Sequence, residues 1–414
     1  MENNRKDPFL MITLRDYQIE NSNKALSILE RYGIVYLSME VRSGKTLTAL
    51  QTANMCNVQN VLFITKKKAI SSITSDYNLL SPGYQIAVIN YESIHKIDLS
   101  HYDLFIIDEA HSLGAFPKQS NRAKNINTGF KPVIYLSGTP TPESWSQLYH
   151  QFKISKNTPF KLYPNFYKWA AKYVNIKKKM IAGNMINDYS NANIEEIQKV
   201  TKHLFISYTQ KEAGFEQTIN EKIITVPMTE QTKTLIKRLE KDLVIEGQNE
   251  IILADTPVKL MQKVHQLSSG TIKFESGNYG ILDKSKAVYI KELFKGQKIA
   301  IFYKFKAEFE LLKQIFTDWT NDLEEFNSDN NKTFLVQIVS GREGINLSIA
   351  DSLVFYNIDF SATSYFQARD RLTSKTRTKE NNVYWIFSDV GFENKVYNTV
   401  KNKTNFTKAH YVRG

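Results

Sequence analysis

The sequence predicts an α/β fold, two parallel-sheet domains in tandem with helical insertions between them. The first observation is two sets of short apolar runs, each closing in a polar or glycine-rich turn. They are IVYLSM (34–39), VLFIT (61–65), LFIID (104–108) and VIYLS (133–137), then IAIFY (299–303), FLVQIV (334–339), SLVFYNI (352–358) and VYWIF (383–387). The runs are apolar throughout rather than alternating, which fits strands covered on both faces of a parallel sheet. The second observation is the amphipathic segments between the runs, as after Lys45 and over Glu308–Phe316. Strands alternating with helices make right-handed βαβ units and a doubly wound sheet. The third is the stretch of roughly 160 residues between the two sets, which reads helical and basic.

In chain order, the first set supplies four strands, with a helix opening at Lys45. The middle holds NFYKWAAKYVNIKKKM (165–180), NIEEIQKVTKHLF (193–205) and TEQTKTLIKRLEKDLVIEG (229–247), all read as helices, with Thr229 as N-cap of the last. A strand-like IITV ends at Val226 and Pro227 follows, so the domain boundary is placed there. The first domain then covers 1–226 with a helical insertion at about 151–205, and the second covers 227–414. At roughly 100–200 residues per domain, 414 residues suit that division.

Composition narrows the function classes. Hydrophobic residues are 42% and charged residues 23%, enough for sizeable cores and unlike a mainly disordered chain. The single cysteine, Cys56, excludes a disulfide framework and a cysteine-based metal site, and fits a reducing compartment. No apolar run approaches the ~18 residues of a membrane span. The opening MENNRKDPFLMITLRDYQ lacks the apolar core of a signal peptide, so a cytoplasmic protein without a membrane partner is expected. Lys plus Arg number 54 against 42 Asp plus Glu, a net charge of +12. That balance suggests a polyanionic partner, most commonly nucleic acid, although general surface solubility produces it too.

Three constellations carry chemistry. Ser43-Gly44-Lys45-Thr46 follows the first strand and opens a helix. There backbone N–H groups and the helix dipole can meet phosphate oxygens, Gly44 allows close approach, Lys45 reaches the β and γ phosphates, and the Thr46 hydroxyl holds Mg²⁺. The full pattern wants a small residue five positions before Gly44, where this chain has Met39. An ordinary strand–helix turn also accommodates GKT. Asp108-Glu109-Ala110-His111 closes the strand LFIID; a carboxylate at that tip can hold Mg²⁺, and the next can polarise water for attack on a γ phosphate. Ser137-Gly138-Thr139-Pro140 follows VIYLS, placed to couple a nucleotide site to a bound polymer, or simply to turn the chain.

With these residues in this order, the sequence resembles superfamily 2 helicases and translocases, especially the Swi–Snf-like branch with a DEAH box, and its compactness looks phage- or virus-like. The resemblance implies two RecA-like domains, ATP and Mg²⁺ as cofactors, and nucleic acid, DNA in preference to RNA, gripped through its backbone without strong sequence specificity. LRDYQ (14–18) is similar to the element whose Gln reads adenine, which assigns that contact to Gln18. MEVRSGKT (39–46), DEAH (108–111) and SGTP (137–140) are similar to motifs I, II and III. By the same match ITKKKA (64–69) and Asn90-Tyr91-Glu92 touch the polymer, giving Thr65, Lys66, Asn90 and Tyr91 as nucleic-acid contacts. SGREGINLSIAD (340–351) looks like motif V, adding Ser340 and Asn346 to the polymer and Gly344 to the nucleotide; QARDR (367–371) looks like the start of motif VI, adding Gln367 and the catalytic Arg371. His111, Ser137 and Thr139 are implied coupling residues; Lys45, Asp108 and Glu109 are implied catalytic residues, with Thr46 and Asp108 on the metal.

The sequence departs from the family at Ser374, where a second arginine is expected; Lys375, Arg377 or an inward-turned Arg369 could take that role. Arginine fingers supply about 10³-fold or more in phosphoryl transfer, so slow or partner-dependent hydrolysis is an open outcome. The basic runs at 66–68 and 177–179 are solvated surface by default; the rings Phe166, Tyr167, Trp169 and Tyr173 sit at helical spacing and are read as core rather than base-stacking. His150, His203 and His265 have no partners at ligand spacing, and no metal beyond Mg²⁺ is expected. The expected activity is therefore an ATP-dependent DNA helicase or translocase, with room for a loading or activating protein partner. The alternatives are an RNA helicase, or a nucleic-acid-binding latch that binds ATP with little turnover.

Overall fold

The computed structural model describes residues 13–181, 184–209, 211–214, 219–247, 249–341, 345–373 and 377–402. The chain divides into two compact units, Met1–Gly214 and Phe215–Gly414. Each is built on a six-stranded, wholly parallel sheet, the predicted α/β class.

In the first unit the elements are α1 (Asp16–Tyr32), β1 (Ile34–Met39), α2 (Lys45–Met55), β2 (Asn60–Thr65), α3 (Ile70–Leu80), β3 (Gln85–Asn90), β4 (Leu104–Ile107), α4 (Asn121–Lys124), β5 (Val133–Leu136), α5 (Leu148–Phe152), α6 (Phe166–Tyr173), β6 (Lys177–Ile181), β7 (Asn184–Asp188), α7 (Ile194–Thr201) and β8 (Phe205–Tyr208). Sheet order is β3-β2-β4-β5-β1-β8. Every residue of β4 and β5 is buried, as their uniformly apolar sequences require of central strands. Core side chains cover both faces of this sheet.

The second unit runs β9 (Ile219–Val226), α8 (Glu230–Asp242), β10 (Val244–Glu246), β11 (Ile251–Leu253), α9 (Pro257–Ser268), β12 (Thr271–Lys273), β13 (Tyr279–Ile281), α10 (Ser285–Leu293), β14 (Ile299–Tyr303), α11 (Lys306–Ile315), β15 (Trp319–Thr320), α12 (Leu323–Ser328), β16 (Thr333–Gln337), α13 (Ile338–Gly341), β17 (Ser352–Phe355), α14 (Ala362–Arg369), β18 (Asn381–Ser388) and α15 (Phe392–Lys401). Its sheet order is β15-β16-β14-β17-β18-β9. Thr229 caps α8, its side chain accepting from the Thr232 N–H.

Several elements differ from the sequence expectation. The helix expected over 165–180 stops at Tyr173: Val174-Asn175-Ile176 are poor helix formers, and Lys177–Ile181 pairs antiparallel with Asn184–Asp188 as a hairpin. The run FLVQIV leaves the sheet at Gln337 and turns helical over Ile338–Gly341. IITV is the end of β9, which pairs residue for residue with β18 over Ile219–Val226 in the second sheet, so this strand, placed at the close of the first domain, is built into the second unit. Phe166, Trp169 and Tyr173 are buried, as read, while Tyr167 is half exposed. Among the described residues no helix is long and apolar enough to cross a membrane.

Candidate active site

A parallel sheet sends all its strands out at one edge, and the loops after them converge there. In the first unit that edge gathers Lys45 after β1, Thr65 at the end of β2, Asp108 after β4 and Ser137 after β5. Residues more than ninety positions apart in the chain meet for that reason alone.

The loop from β1 to α2 turns through two left-handed positions, Arg42 (φ 65°) and Gly44 (φ 83°). Gly44 suits a left-handed position that strains other residues, and a Cβ there would also displace the Gln18 amide, 2.3 Å away. Gln18, on α1 and 3% exposed, packs against this loop. Its Oε1 accepts from the Arg15 N–H (2.9 Å), and its Nε2 faces the Gly44 carbonyl (3.4 Å). Ser43 is buried and its hydroxyl donates to the Glu40 carbonyl (2.6 Å). The Lys45 ammonium donates to the Met39 (2.8 Å) and Glu40 (3.0 Å) carbonyls, folded back onto its own loop. Thr46 is the next residue of α2, in the first turn. Beside Gln18, the Tyr17 ring stacks on Tyr208 of β8 (4.8 Å between centroids, 14° between planes), and the Tyr208 carbonyl accepts from the Glu40 N–H. No sequence pattern ties Tyr208 to this loop; β8 alone brings it there.

Asp108 is held from two sides. Its Oδ2 accepts from the Thr65 hydroxyl (2.7 Å), and its carbonyl accepts from the Tyr91 hydroxyl. Burial, then the neighbouring charge of Glu109, pushes its carboxyl up to about 6, against the pull of the Thr65 bond and the Lys45 charge. Thr65 and Tyr91, expected to face a polymer, are buried at 0% and 1% exposure; Thr65 bonds the Asp108 carboxylate and Tyr91 the Asp108 backbone carbonyl. The Asn90 side chain likewise caps the turn that follows, accepting from the Ser93 N–H. Lys66 follows β2.

Glu109 adopts a left-handed conformation (φ 49°), which swings its side chain toward His111. His111 Nδ1 lies 3.2 Å from Glu109 Oε2 and 2.9 Å from the Ser137 hydroxyl, and that hydroxyl accepts from the Thr139 N–H (3.1 Å). A Cβ on Gly138 would sit 3.3 Å from the Met39 carbonyl, so the same turn is pressed against the lysine loop. Glu109, His111, Ser137 and Thr139 thus form one polar chain at the strand edge.

The remaining expected residues belong to the second unit. Gly344 lies outside the described residues, as do Ser374 and Lys375. Ser340 lies in α13; Asn346 is exposed and its side chain accepts from the Ser348 N–H. Gln367 is buried on α14, and its carbonyl accepts from Arg371 Nε (3.0 Å). Arg369 turns toward Glu221 (3.2 Å) and Asp370 (3.0 Å). Arg377 is 6% exposed and its guanidinium donates to the carbonyls of Ser348, Ala350, Asp351 and Glu380. Those bonds tie a loop together.

A glycine–lysine loop after the first strand, an acidic pair after the fourth and a serine–glycine turn after the fifth stand together at one edge of an α/β domain. The description "SNF2-related domain" matches residues 34–286, more than half of the 414, and the chain belongs to that family. Similar proteins include the CHD3-type chromatin-remodeling factor CHR7 of Arabidopsis thaliana, 21% identical over 95% of this chain and 37% of that protein. Another is the SWI/SNF-related matrix-associated actin-dependent regulator of chromatin subfamily A-like protein 1 of Drosophila melanogaster, 20% identical over 74% of this chain and 41% of that protein. A third is the ISWI chromatin-remodeling complex ATPase ISW2 of Saccharomyces cerevisiae, 20% identical over 92% and 39%. The chain spans less than half the length of each of these relatives.

Proposed function

We propose that this chain is an ATP-dependent DNA translocase or helicase, hydrolysing ATP at the strand edge of its first unit and turning hydrolysis into movement along, or remodelling of, DNA. The observation that carries this reading is the polar chain Glu109–His111–Ser137–Thr139 beside the lysine loop. It supplies a base and a route by which the state of that base reaches a neighbouring turn. The Lys45 ammonium is the phosphate ligand: it donates to the Met39 and Glu40 carbonyls, and a charged phosphate oxygen is a stronger acceptor than either. Gln18 reads the adenine. The Thr46 hydroxyl and the Asp108 carboxylate, crowded by Glu109, are the hard oxygen donors that suit Mg²⁺, which when bound neutralises phosphate charge. Glu109 orients and polarises the attacking water. The similar proteins named for chromatin remodeling favour DNA as the polymer. Arg371 is assigned to the γ phosphate by the family resemblance.

The test is steady-state ATP hydrolysis with no polymer, single-stranded DNA, double-stranded DNA and single-stranded RNA, with Glu109→Gln as control. DNA-stimulated turnover that the variant loses is the expected result. Stimulation by RNA alone would replace DNA with RNA in this reading.

The bonds of Arg377 favour a second reading. Its guanidinium donates to four backbone carbonyls, which lends no support to Arg377 as the replacement for the arginine absent at Ser374. That reading is a latch that binds ATP with little turnover, and intact ATP binding without polymer-stimulated hydrolysis would support it.

A further inference from the structure

We propose that the first unit carries a second nucleic-acid contact, a pocket for a single-stranded segment with its phosphate and base, at the sheet edge opposite the lysine loop. The pocket lies where Tyr32 leads toward β1, Phe130 toward β5 and His203 toward β8. β1 has six residues, so at about 3.3 Å each the pocket stands ~20 Å from the loop at the strand's other end. Its volume is about 590 Å³, within the range of ligand sites.

The floor is braced. Asn157 Nδ2 donates to the Phe130 carbonyl (3.0 Å) and reaches that of Gly33 (3.5 Å), and the Lys156 N–H donates to the Gly129 carbonyl (2.8 Å). The walls are cationic: Arg31, Lys156, Lys161, Lys199 and His203 line them. Lys199 is paired with Glu196, whereas Arg31, Lys156 and Lys161 make no ion pair among the described residues. At the rim Phe130 is 72% exposed, with the Lys156 ammonium 5.2 Å from its ring centre. Tyr32 and His203 place their rings 4.4 Å apart. Cations without counter-charges beside a largely exposed aromatic ring are the two components of sequence-tolerant single-strand binding, phosphate attraction and base stacking. An acidic peptide would satisfy the cations and leave the Phe130 face without a stacking partner, so the strand is the better occupant.

This site goes beyond the motor reading and takes from it only the class of ligand. The experiment irradiates the full chain with an oligothymidylate carrying 5-iodouracil and maps the crosslinked peptide by mass spectrometry. Crosslinks at Phe130, Tyr32 or His203 are expected, and they weaken in the Lys156→Ala/Lys161→Ala double variant. In that variant the slope of log affinity against log salt should shrink by about 1.4, from roughly 0.7 per single-strand phosphate lost. Circular dichroism and binding of a fluorescent ATP analogue verify that the variant is folded. Crosslinks that map only elsewhere, or an unchanged salt slope, overturn the pocket and leave the motor reading standing. An oligonucleotide that binds nowhere on the chain overturns the pocket, and DNA-stimulated hydrolysis then decides the motor reading separately.

Discussion

At the residue scale, the second unit contains a charge pair that can only be understood as a unit. Lys286 and Glu393 are both fully buried, 2.7 Å apart. The lysine also donates to the Tyr356 carbonyl (2.6 Å), and the second carboxylate oxygen accepts from the Ser388 N–H (2.9 Å) and hydroxyl (2.5 Å). Every polar atom of the pair thus has a partner, which is the condition for burying charge at all. Removing one member leaves the other charged and enclosed. Lys286→Met should therefore cost about 3–5 kcal/mol, the range for breaking a buried pair. Chemical denaturation monitored by tryptophan fluorescence reads this directly, since Trp385 is in the same unit. A loss below about 1 kcal/mol would mean that water reaches Glu393 and that the site is not closed.

At the element scale, the same unit buries a titratable ring. His265 on α9 is fully enclosed by Phe305, Phe360 and Phe392, and its Nε2 lies 2.5 Å from Asn357 Oδ1. Burial, then the charges of Lys304 and Lys286, hold it well below its usual 6.5, against the Asn357 bond and the Asp359 charge. In the unfolded chain it titrates near 6.5; folded, it stays neutral. The unfolded state therefore gains a proton as pH falls through about 6.5, and stability falls by up to about 1.4 kcal/mol per pH unit. Thermal midpoints from pH 8 to 5.5 should be flat above 6.5 and decline below. His265→Gln should remove one proton from that slope, and an equal slope in the variant would refute the assignment. None of this was legible in the sequence, where His265 was only a histidine without a ligand partner. What was legible followed from local signals. The apolar runs gave the central strands, because a strand buried on both faces needs no partner to reveal it. The lysine loop and the acidic pair were readable because their spacing is local. The roles of Thr65 and Tyr91 were not, because their bonds to Asp108 exist only after β2, β3 and β4 pair. The hairpin over 177–188 was hidden by its basic composition, which does not distinguish a solvated strand from a solvated helix.

At the scale of the whole molecule, the cores do not mix: two clusters lie wholly in the first unit and two wholly in the second. Each unit should then fold alone, provided the chain is cut where the strands are complete. That proviso separates two cuts only twelve residues apart. A fragment over 215–414 keeps β9, and one over 227–414 removes it. β9 is paired along its whole length with β18. It also carries Glu221, whose carboxylate accepts from Tyr365 (2.8 Å), Trp385 Nε1 (2.9 Å), Tyr397 (3.1 Å) and Arg369 (3.2 Å). Tyr365, Trp385 and Tyr397 are each under 4% exposed in the intact chain; without Glu221 the Trp385 N–H loses its acceptor and the Tyr365 and Tyr397 hydroxyls are left with one another. At about 1–3 kcal/mol for a buried group left unsatisfied, that loss is a sizeable share of the roughly 5–15 kcal/mol that holds a domain together. It also turns β18, a largely apolar strand, into an open edge that invites pairing with other chains. The fragment 215–414 is expected to be soluble with a single cooperative melt, and 227–414 to aggregate. Glu221→Ala within 215–414 separates the two causes: a lowered melting point without aggregation assigns the failure of the shorter fragment to the open edge, and aggregation assigns it to the lost carboxylate. A fragment 227–414 that melts cooperatively at the same temperature as 215–414 would show that β9 adds nothing to the second core.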